Sequence, residues 1–329
     1  MSAGRNCKNL HKPRAPFPAQ CLVSSMRIRE LRQSAREHLR QAASSQPEAS
    51  ADILLARALG QNIAWLYAHP EAEIEPDKLR IFESWLHRRA TGQPTQYITG
   101  VQEFYGREFH VNPAVLVPRP ETEILIEAAL ERALQFPAPR IADIGTGSGC
   151  IAITLALELA ARHHAAQVWG VDISAPALAV AQANARNLRA PVQWLQGDLL
   201  EPWRRELSDF EAVNAPEHLD MIVSNPPYIA ETELESLQKE VREHEPRLAL
   251  IAGPTGMEAY DRLLPQAREL LHEGGWLILE LGHATAWQIL PVLQNPDWNA
   301  LEIRKDLQGI PRVLIARRAH DRELSRQAK

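Results

Sequence analysis

The 329-residue sequence predicts an α/β fold: an open, doubly wound, mostly parallel sheet of seven strands, preceded by a small helical domain and a β-hairpin linker. Three observations carry this reading. From residue 140 onward, short apolar runs alternate with helix-length segments, the pattern of strand–helix–strand units. A glycine-rich turn over residues 145–149 joins the first of those runs to a helix start. Finally, Asn225-Pro226-Pro227-Tyr228 follows the apolar run Met221-Ile222-Val223 and so stands at the end of a buried strand, where open α/β sheets place their chemistry.

The elements follow in order. The first 25 residues hold Arg5, Lys8, Lys12 and Arg14, no acids, and prolines at 13, 16 and 18. That composition suits a mitochondrial presequence, but the prolines spoil the amphipathic helix such a leader needs. The favoured reading of 1–26 is a disordered or mis-annotated extension, with Met26 as a candidate true start. Residues 27–93 form a helical domain: Ile28, Leu31, Ala35 and Leu39 recur at helical spacing, as do Leu54, Leu55, Ala58 and Leu59 before Gly60, and Leu79, Phe82 and Leu86 before Gly92. Its aromatics Trp65, Tyr67 and Trp85 read as a core stripe, with a partner surface as the alternative. Residues 94–118 form the linker, extended from Tyr97 to Val117 with Gly106 as its turn.

The domain spanning 119–318 supplies the strands Arg140 to Ile144, Val168 to Asp172, Val192 to Leu195, Asp220 to Ser224, Trp276 to Leu281, Leu301 to Lys305 and Val313 to Ala316, the last two as a terminal hairpin. The polar stretch from Arg204 to His218 is longer than an ordinary loop and reads as a surface insertion. A polar tail covers 319–329.

Composition excludes several classes. Thirty-six Lys and Arg against 41 Asp and Glu give a net charge of −5, unlike a protein held to phosphates, so no direct nucleic-acid binding is expected. Cys7, Cys21 and Cys150 have no metal-ligand spacing and are too few for a disulfide scaffold, which suits a reducing compartment. His163 and His164 adjoin no ligand pattern and read as surface or helix-end residues, so no metal is expected. The longest apolar run, Ile151 to Ala161, is interrupted by Thr154 and Glu158 and reads as a buried helix rather than a membrane span.

The chemistry is carried by two loops. Pro226 and Pro227 lock φ and remove backbone donors, so the loop presents bare carbonyl oxygens beside the Asn225 amide. The Asn225 side-chain oxygen and the Pro226 carbonyl can each accept one N–H from a planar NH2 group, on which the Tyr228 ring can stack. Asn-Pro is also a common turn pair. The second loop, Asp143-Ile144-Gly145-Thr146-Gly147-Ser148-Gly149, lets a ligand approach the backbone closely. A dinucleotide fingerprint would need glycine where Cys150 stands. The Gly-x-Gly-x-Gly spacing, with an acid two residues before it, resembles instead the S-adenosylmethionine loop of class I methyltransferases, a Rossmann-like fold. In that frame Asp172, ending the second strand, would accept the ribose hydroxyls. Asp198 and the Leu199 backbone would face the adenine edge, with a turn cap as the alternative for Asp198, and Asp143 would lie near the cationic methionine end or cap the loop.

Further stretches narrow the resemblance. Residues 92–100 with Glu103-Phe104-Tyr105-Gly106, then Val117-Pro118-Arg119-Pro120-Glu121-Thr122-Glu123, then Glu245-Pro246-Arg247-Leu248-Ala249-Leu250 with Gly253 and Gly256-Met257 are similar to segments of the protein-(glutamine-N5) methyltransferases that modify peptide-chain release factors, the PrmC/HemK family. The match runs from about Arg27 to Arg317; where some relatives carry tryptophan beside the adenine, this chain has Leu199.

The resemblance implies transfer of a methyl group from S-adenosyl-L-methionine, leaving S-adenosyl-L-homocysteine, to the glutamine side-chain nitrogen in the Gly-Gly-Gln loop of class I release factors. Asn225, Pro226, Pro227 and Tyr228 would hold the substrate. Asp143, Gly145, Thr146, Gly147, Ser148, Gly149, Asp172, Asp198, Leu199 and Asn225 would hold the cofactor, and Phe104, Arg119, Pro120 and Glu121 would contribute to the site. It further implies a monomeric protein of the bacterial cytoplasm, or of the mitochondrial matrix if residues 1–26 are a presequence.

An amide nitrogen is a poor nucleophile, so such an enzyme works chiefly by aiming and localising the lone pair. The rival readings are an adenine-N6 DNA methyltransferase, which uses the same kind of loop on an exocyclic NH2, a ribosomal RNA or small-substrate methyltransferase, and a non-catalytic adaptor for a translation factor.

Overall fold

The structure, a computed structural model, describes residues 27–204, 216–283 and 285–320. The extension at 1–26 with Cys7 and Cys21, most of the 204–218 insertion and most of the polar tail lie outside the described residues. The chain divides into two compact units, one ending at Thr91 and one starting at Gly92.

The first unit holds α1 (Ile28–Gln41), α2 (Pro47–Leu59), α3 (Ile63–Ala68) and α4 (Pro76–Ala90). Prolines begin α2 and α4, where a missing N–H costs nothing, and Gly60 at φ 70° closes α2. The stripe Ile28, Leu31, Ala35 and Leu39 is buried, together with Leu54, Leu55, Phe82 and Leu86. The aromatic residues depart from the core stripe expected of them: Tyr67 is 61% exposed, and Trp65 and Trp85 are half-buried. An ion pair explains Tyr67. Arg32 donates to both oxygens of buried Asp52 at 3.0 and 2.9 Å, its guanidinium lies 3.9 Å over the Tyr67 ring, and the Tyr67 hydroxyl donates to Asp52 at 3.1 Å. The ring therefore caps a charged pair from outside rather than filling the apolar centre. Burial works against the Asp52 charge, but the bonds from Arg32 and Arg36 prevail and hold its carboxyl below the usual range.

The second unit opens with α5 (Thr95–Thr99), a helix where an extended segment was expected. Residues 95–99 close a turn onto Gly100 at φ 77°, and the Tyr97 hydroxyl donates to the Val115 carbonyl at 2.5 Å, so the aromatic residue anchors the linker instead of joining a strand. The hairpin proper is β1 (Val101–Phe104) and β2 (Arg107–His110) around Tyr105-Gly106. Then come α6 (Thr122–Ala133), β3 (Arg140–Ile144), α7 (Cys150–Ala161), β4 (Gln167–Asp172), α8 (Ala175–Leu188), β5 (Val192–Gln196), α9 (Glu201–Arg204) and β6 (Leu219–Ser224). The chain continues through β7 (Ile229–Ala230), α10 (Lys239–His244), α11 (Arg247–Leu250), β8 (Ile251–Gly253), α12 (Glu258–Leu270), β9 (Leu271–Glu280), α13 (Thr285–Leu293), β10 (Trp298–Lys305) and β11 (Pro311–Arg318).

The main sheet has seven strands in the order β10-β11-β9-β6-β3-β4-β5. Contacts from β9 through β5 are parallel, and β11 and β10 join antiparallel at one edge. The chain runs outward from β3 to β5, then returns to β6 on the other side of β3. That reversal is the topological switch point, where a crevice opens beyond the strands' carboxyl ends. Side chains alternate between faces: Ile141, Met221, Val223 and Ile278 pack with α6 and α7, whereas Ala142, Ile144, Ile222 and Leu277 pack with α12 and α13.

Candidate active site

A cleft of about 640 Å³ opens at the switch point. Gly145, Thr146, Gly147 and Ser148 after β3, Asp172 ending β4, Asp198 and Leu199 after β5, and Asn225 and Pro227 after β6 all line it. The register explains why loops separated by some eighty residues meet: Ile144 and Ser224 are paired neighbours, and the Ser224 hydroxyl donates to the Ile144 carbonyl at 2.7 Å. The glycine loop and Asn225 thus leave adjacent strand ends.

Gly145 and Gly147 adopt φ of 72° and 55°, conformations that side chains disfavour. A Cβ built on Gly145 would meet nothing within 4 Å, so what its absence frees is space in the cleft rather than room for packing. Beneath the loop, fully buried Asp143 accepts from the Thr146 hydroxyl at 2.5 Å and from the Ala152 amide at 3.1 Å. Burial, with some repulsion from Asp172, pushes its carboxyl up to about 7. Asp143 is therefore a strut joining the loop to α7 and does not line the cleft. Gly149 also stands behind the wall, where a Cβ would press on Trp194 at 3.0 Å.

Asp172 has both oxygens directed by backbone: Oδ2 accepts from the Gly147 amide and Oδ1 from the Ser174 amide, each at 2.9 Å. Burial raises its pKa, and these N–H bonds pull it back. Each oxygen keeps a lone pair for a hydroxyl donor in the cleft. Asp198 is paired with Arg262 of α12, which also lines the cleft, while Leu199 adopts φ 54° and turns the chain there.

On the β6 loop, the Asn225 Nδ2 group lies 3.4 Å from the Thr122 hydroxyl, which in turn donates to Glu280 at 2.6 Å. Thr122 begins α6 and Glu280 ends β9. Pro226 and Tyr228 do not line the cleft. The Tyr228 ring is partly buried against the second core face, and a Cβ added at Gly282 would come within 2.7 Å of it, so packing accounts for one side of the ring. Burial raises its pKa further, which disfavours a phenolate.

Among the remaining expected residues, Arg119 lines the cleft and donates to Glu245 at 2.6 Å. Burial raises the Glu245 pKa, and Arg119 opposes that shift. Phe104 is different. It is 1% exposed, meets Phe109 edge-on at 6.0 Å, and sits within the core, because alternation along β1 turns it inward. Pro120 and Glu121 also lie off the cleft wall. Sequence reasoning missed Thr122, Glu280 and Arg262. The available signal was Glu280 itself, a carboxylate directly after the apolar run Trp276 to Leu279.

Strand order, glycine loop, acid-ended β4 and Asn-Pro-Pro loop together define a class I methyltransferase fold. The description "PrmC N-terminal domain" matches residues 30–100, and "Methyltransferase small domain" matches 120–248. A release factor glutamine methyltransferase of Koribacter versatilis is 43% identical over 89% of this chain and 99% of its own. One of Moorella thermoacetica is 45% identical over 77% and 85%. A solved structure, the release factor-specific protein-(glutamine-N5) methyltransferase from Alicyclobacillus acidocaldarius, is 27% identical, with 64% of this chain and all of that one covered at a TM-score of 0.38. The chain belongs to the release factor glutamine methyltransferase family.

Proposed function

We propose that this chain transfers the methyl group of S-adenosyl-L-methionine to the side-chain amide nitrogen of the glutamine in the Gly-Gly-Gln loop of class I release factors. The observation that carries this reading is that Asn225 and the glycine loop with Asp172 open on one cleft. The residues present suit the cofactor: glycine backbone bordering open space, an acid held with lone pairs to spare, and a second acid at the far side. When bound, S-adenosylmethionine supplies an electrophilic methyl group on sulfur.

This chain's own residues do the rest. Gly145 to Ser148 and Asp172 hold the nucleoside and amino-acid ends, and Asp198 and Leu199 border the base. The Asn225 Oδ1 atom accepts an N–H of the glutamine, fixing the nitrogen and helping to localise its lone pair, whereas the Pro226 carbonyl, expected to accept the second N–H, belongs to a buried residue off the cleft wall. No strong base stands in the loop, and the proton leaves to solvent, since a methylated amide cation is very acidic. The helical unit holds the body of the release factor, a role to which the exposed Tyr67 ring and the half-buried Trp65 and Trp85 are assigned. We further propose that the protein works as a monomer, and in the bacterial cytoplasm, the latter supported by the bacterial sources of the relatives.

The test is incubation with methyl-labelled cofactor and, in parallel, a folded release factor, a peptide of its Gly-Gly-Gln loop, and adenine-containing DNA. Label should map to the glutamine, with the peptide a poorer acceptor than the folded factor. Label on adenine and none on the glutamine would overturn the assignment.

A further inference from the structure

Asn225 has a difficulty built into its chemistry. A side-chain amide is nearly symmetric in shape but opposite in polarity at its two ends. If it faced the substrate NH2 with its own NH2, donor would meet donor and the acceptor role would vanish. Something in the fold has to settle which end points into the cleft.

We propose that Thr122, backed by Glu280, is the positioning residue that sets the direction of the Asn225 amide, an inference that rests on the acceptor role given to Asn225 above. Thr122 is 2% exposed and Glu280 3%. Their oxygens are 2.6 Å apart, the short separation of a hydroxyl donating to a carboxylate. A threonine hydroxyl has one proton. With that proton given to Glu280, the Thr122 oxygen can only accept, and of the two ends of Asn225 only Nδ2 can donate to it. The 3.4 Å separation is long for a hydrogen bond, so what Thr122 supplies is direction more than strength. With Nδ2 turned toward Thr122, Oδ1 is left for the substrate.

The architecture fits a dedicated arrangement. Glu280 closes β9 beside β6, whose next residue is Asn225, and Thr122 opens α6, which packs on the same sheet face. A buried carboxylate following the apolar run Trp276 to Leu279 needs a donor, and Thr122 provides one. Thr122 also lines the cleft, which puts the relay at the site rather than behind it.

The test compares Thr122→Val, which keeps the shape and removes the hydroxyl, with Thr122→Ser, which restores it. Single-turnover methylation of the folded release factor should fall roughly 10- to 100-fold in Thr122→Val with cofactor affinity unchanged, and return to near wild type in Thr122→Ser. Independently of any acceptor, the Asn225 side-chain NH2 resonances, assigned by their loss in Asn225→Ala, should shift in Thr122→Val and recover in Thr122→Ser. Unshifted resonances, or full turnover in Thr122→Val, overturn the proposal. Failure of the wild-type enzyme to methylate the glutamine counts against the functional reading, while the resonances still decide the position of the amide.

Discussion

Asp172 performs two tasks at once, tying the Gly147 and Ser174 amides while facing the cleft. Replacing it with alanine removes a charged acceptor from a ligand's hydroxyls and leaves two backbone donors to find water. Asp172→Ala should weaken S-adenosylmethionine binding by about 2 to 4 kcal/mol, read by titration calorimetry on a variant that still melts cooperatively. An unchanged affinity would remove Asp172 from the site. Asn225→Ala should behave in the opposite way: turnover drops by about 100-fold or more while cofactor affinity moves by less than about threefold. Equal losses in both would mean that Asn225 serves the cofactor rather than the acceptor. Both residues were legible in the sequence because Asp172 ends β4 and Asn225 directly follows β6, and strand ends in this topology converge. The Thr122–Glu280 contact was not, because it spans 158 positions, and although Thr122 lies in a recognisable segment nothing local points it at Glu280. Phe104 misled for the complementary reason: it belongs to a recognisable segment, but its side chain serves the core.

Among the elements, those with a clean period were read to within a residue or two. The reading of β3 as Arg140–Ile144 matches, and β4, β5 and β6 gain one residue each. The structure begins β9 at Leu271, ahead of the expected Trp276: Gly274-Gly275 interrupts the apolar pattern, and the ladder to β6 resumes across a register shift. Strands β7 and β8, two and three residues long, are too short to show any period. Gly170, inside β4, shows what the period alone does not reveal. It pairs directly with Trp194 of β5, and a Cβ there would lie 2.3 Å from the indole and 3.0 Å from the Thr146 hydroxyl. Gly170→Ala should therefore cost roughly 1 to 3 kcal/mol in denaturant unfolding, and adding Trp194→Leu should recover part of that loss. Strictly additive penalties would show that the indole is not the obstacle.

For the molecule as a whole, the central sheet buries Asp143, Asp220 and Glu280, acids whose protonation is tied to folding. Asp143 on β3 and Glu280 on β9 are both pushed up to about 7, chiefly by burial, with Asp172 near the first and Glu121, Arg312 and Arg119 around the second. Unfolded, both should titrate near about 4. Between those values the folded chain holds protons that the unfolded chain has released, so stability falls as pH rises through that window and levels off above it. Asp52 and Asp220 act in the opposite sense: their lowered values mean that their contribution is present above about 4 and is lost on further acidification. The melting temperature should therefore peak at mildly acidic pH, decline as pH rises through about 7 and level off beyond it. Asp143→Asn and Glu280→Gln should each flatten the declining limb and leave the acid limb in place. Calorimetric scans across pH decide this, and a limb of unchanged slope in both variants would rule out these two acids as its source. The same titration bears on activity, because an ionised Glu280 can only accept and so holds the Thr122 hydroxyl as its donor. Protonated Glu280 can donate instead, freeing Thr122 to donate to Asn225 Oδ1 and reverse the amide. Single-turnover methylation should accordingly rise with pH through about 7 in the wild type, and Glu280→Gln, which cannot titrate, should lose that rise.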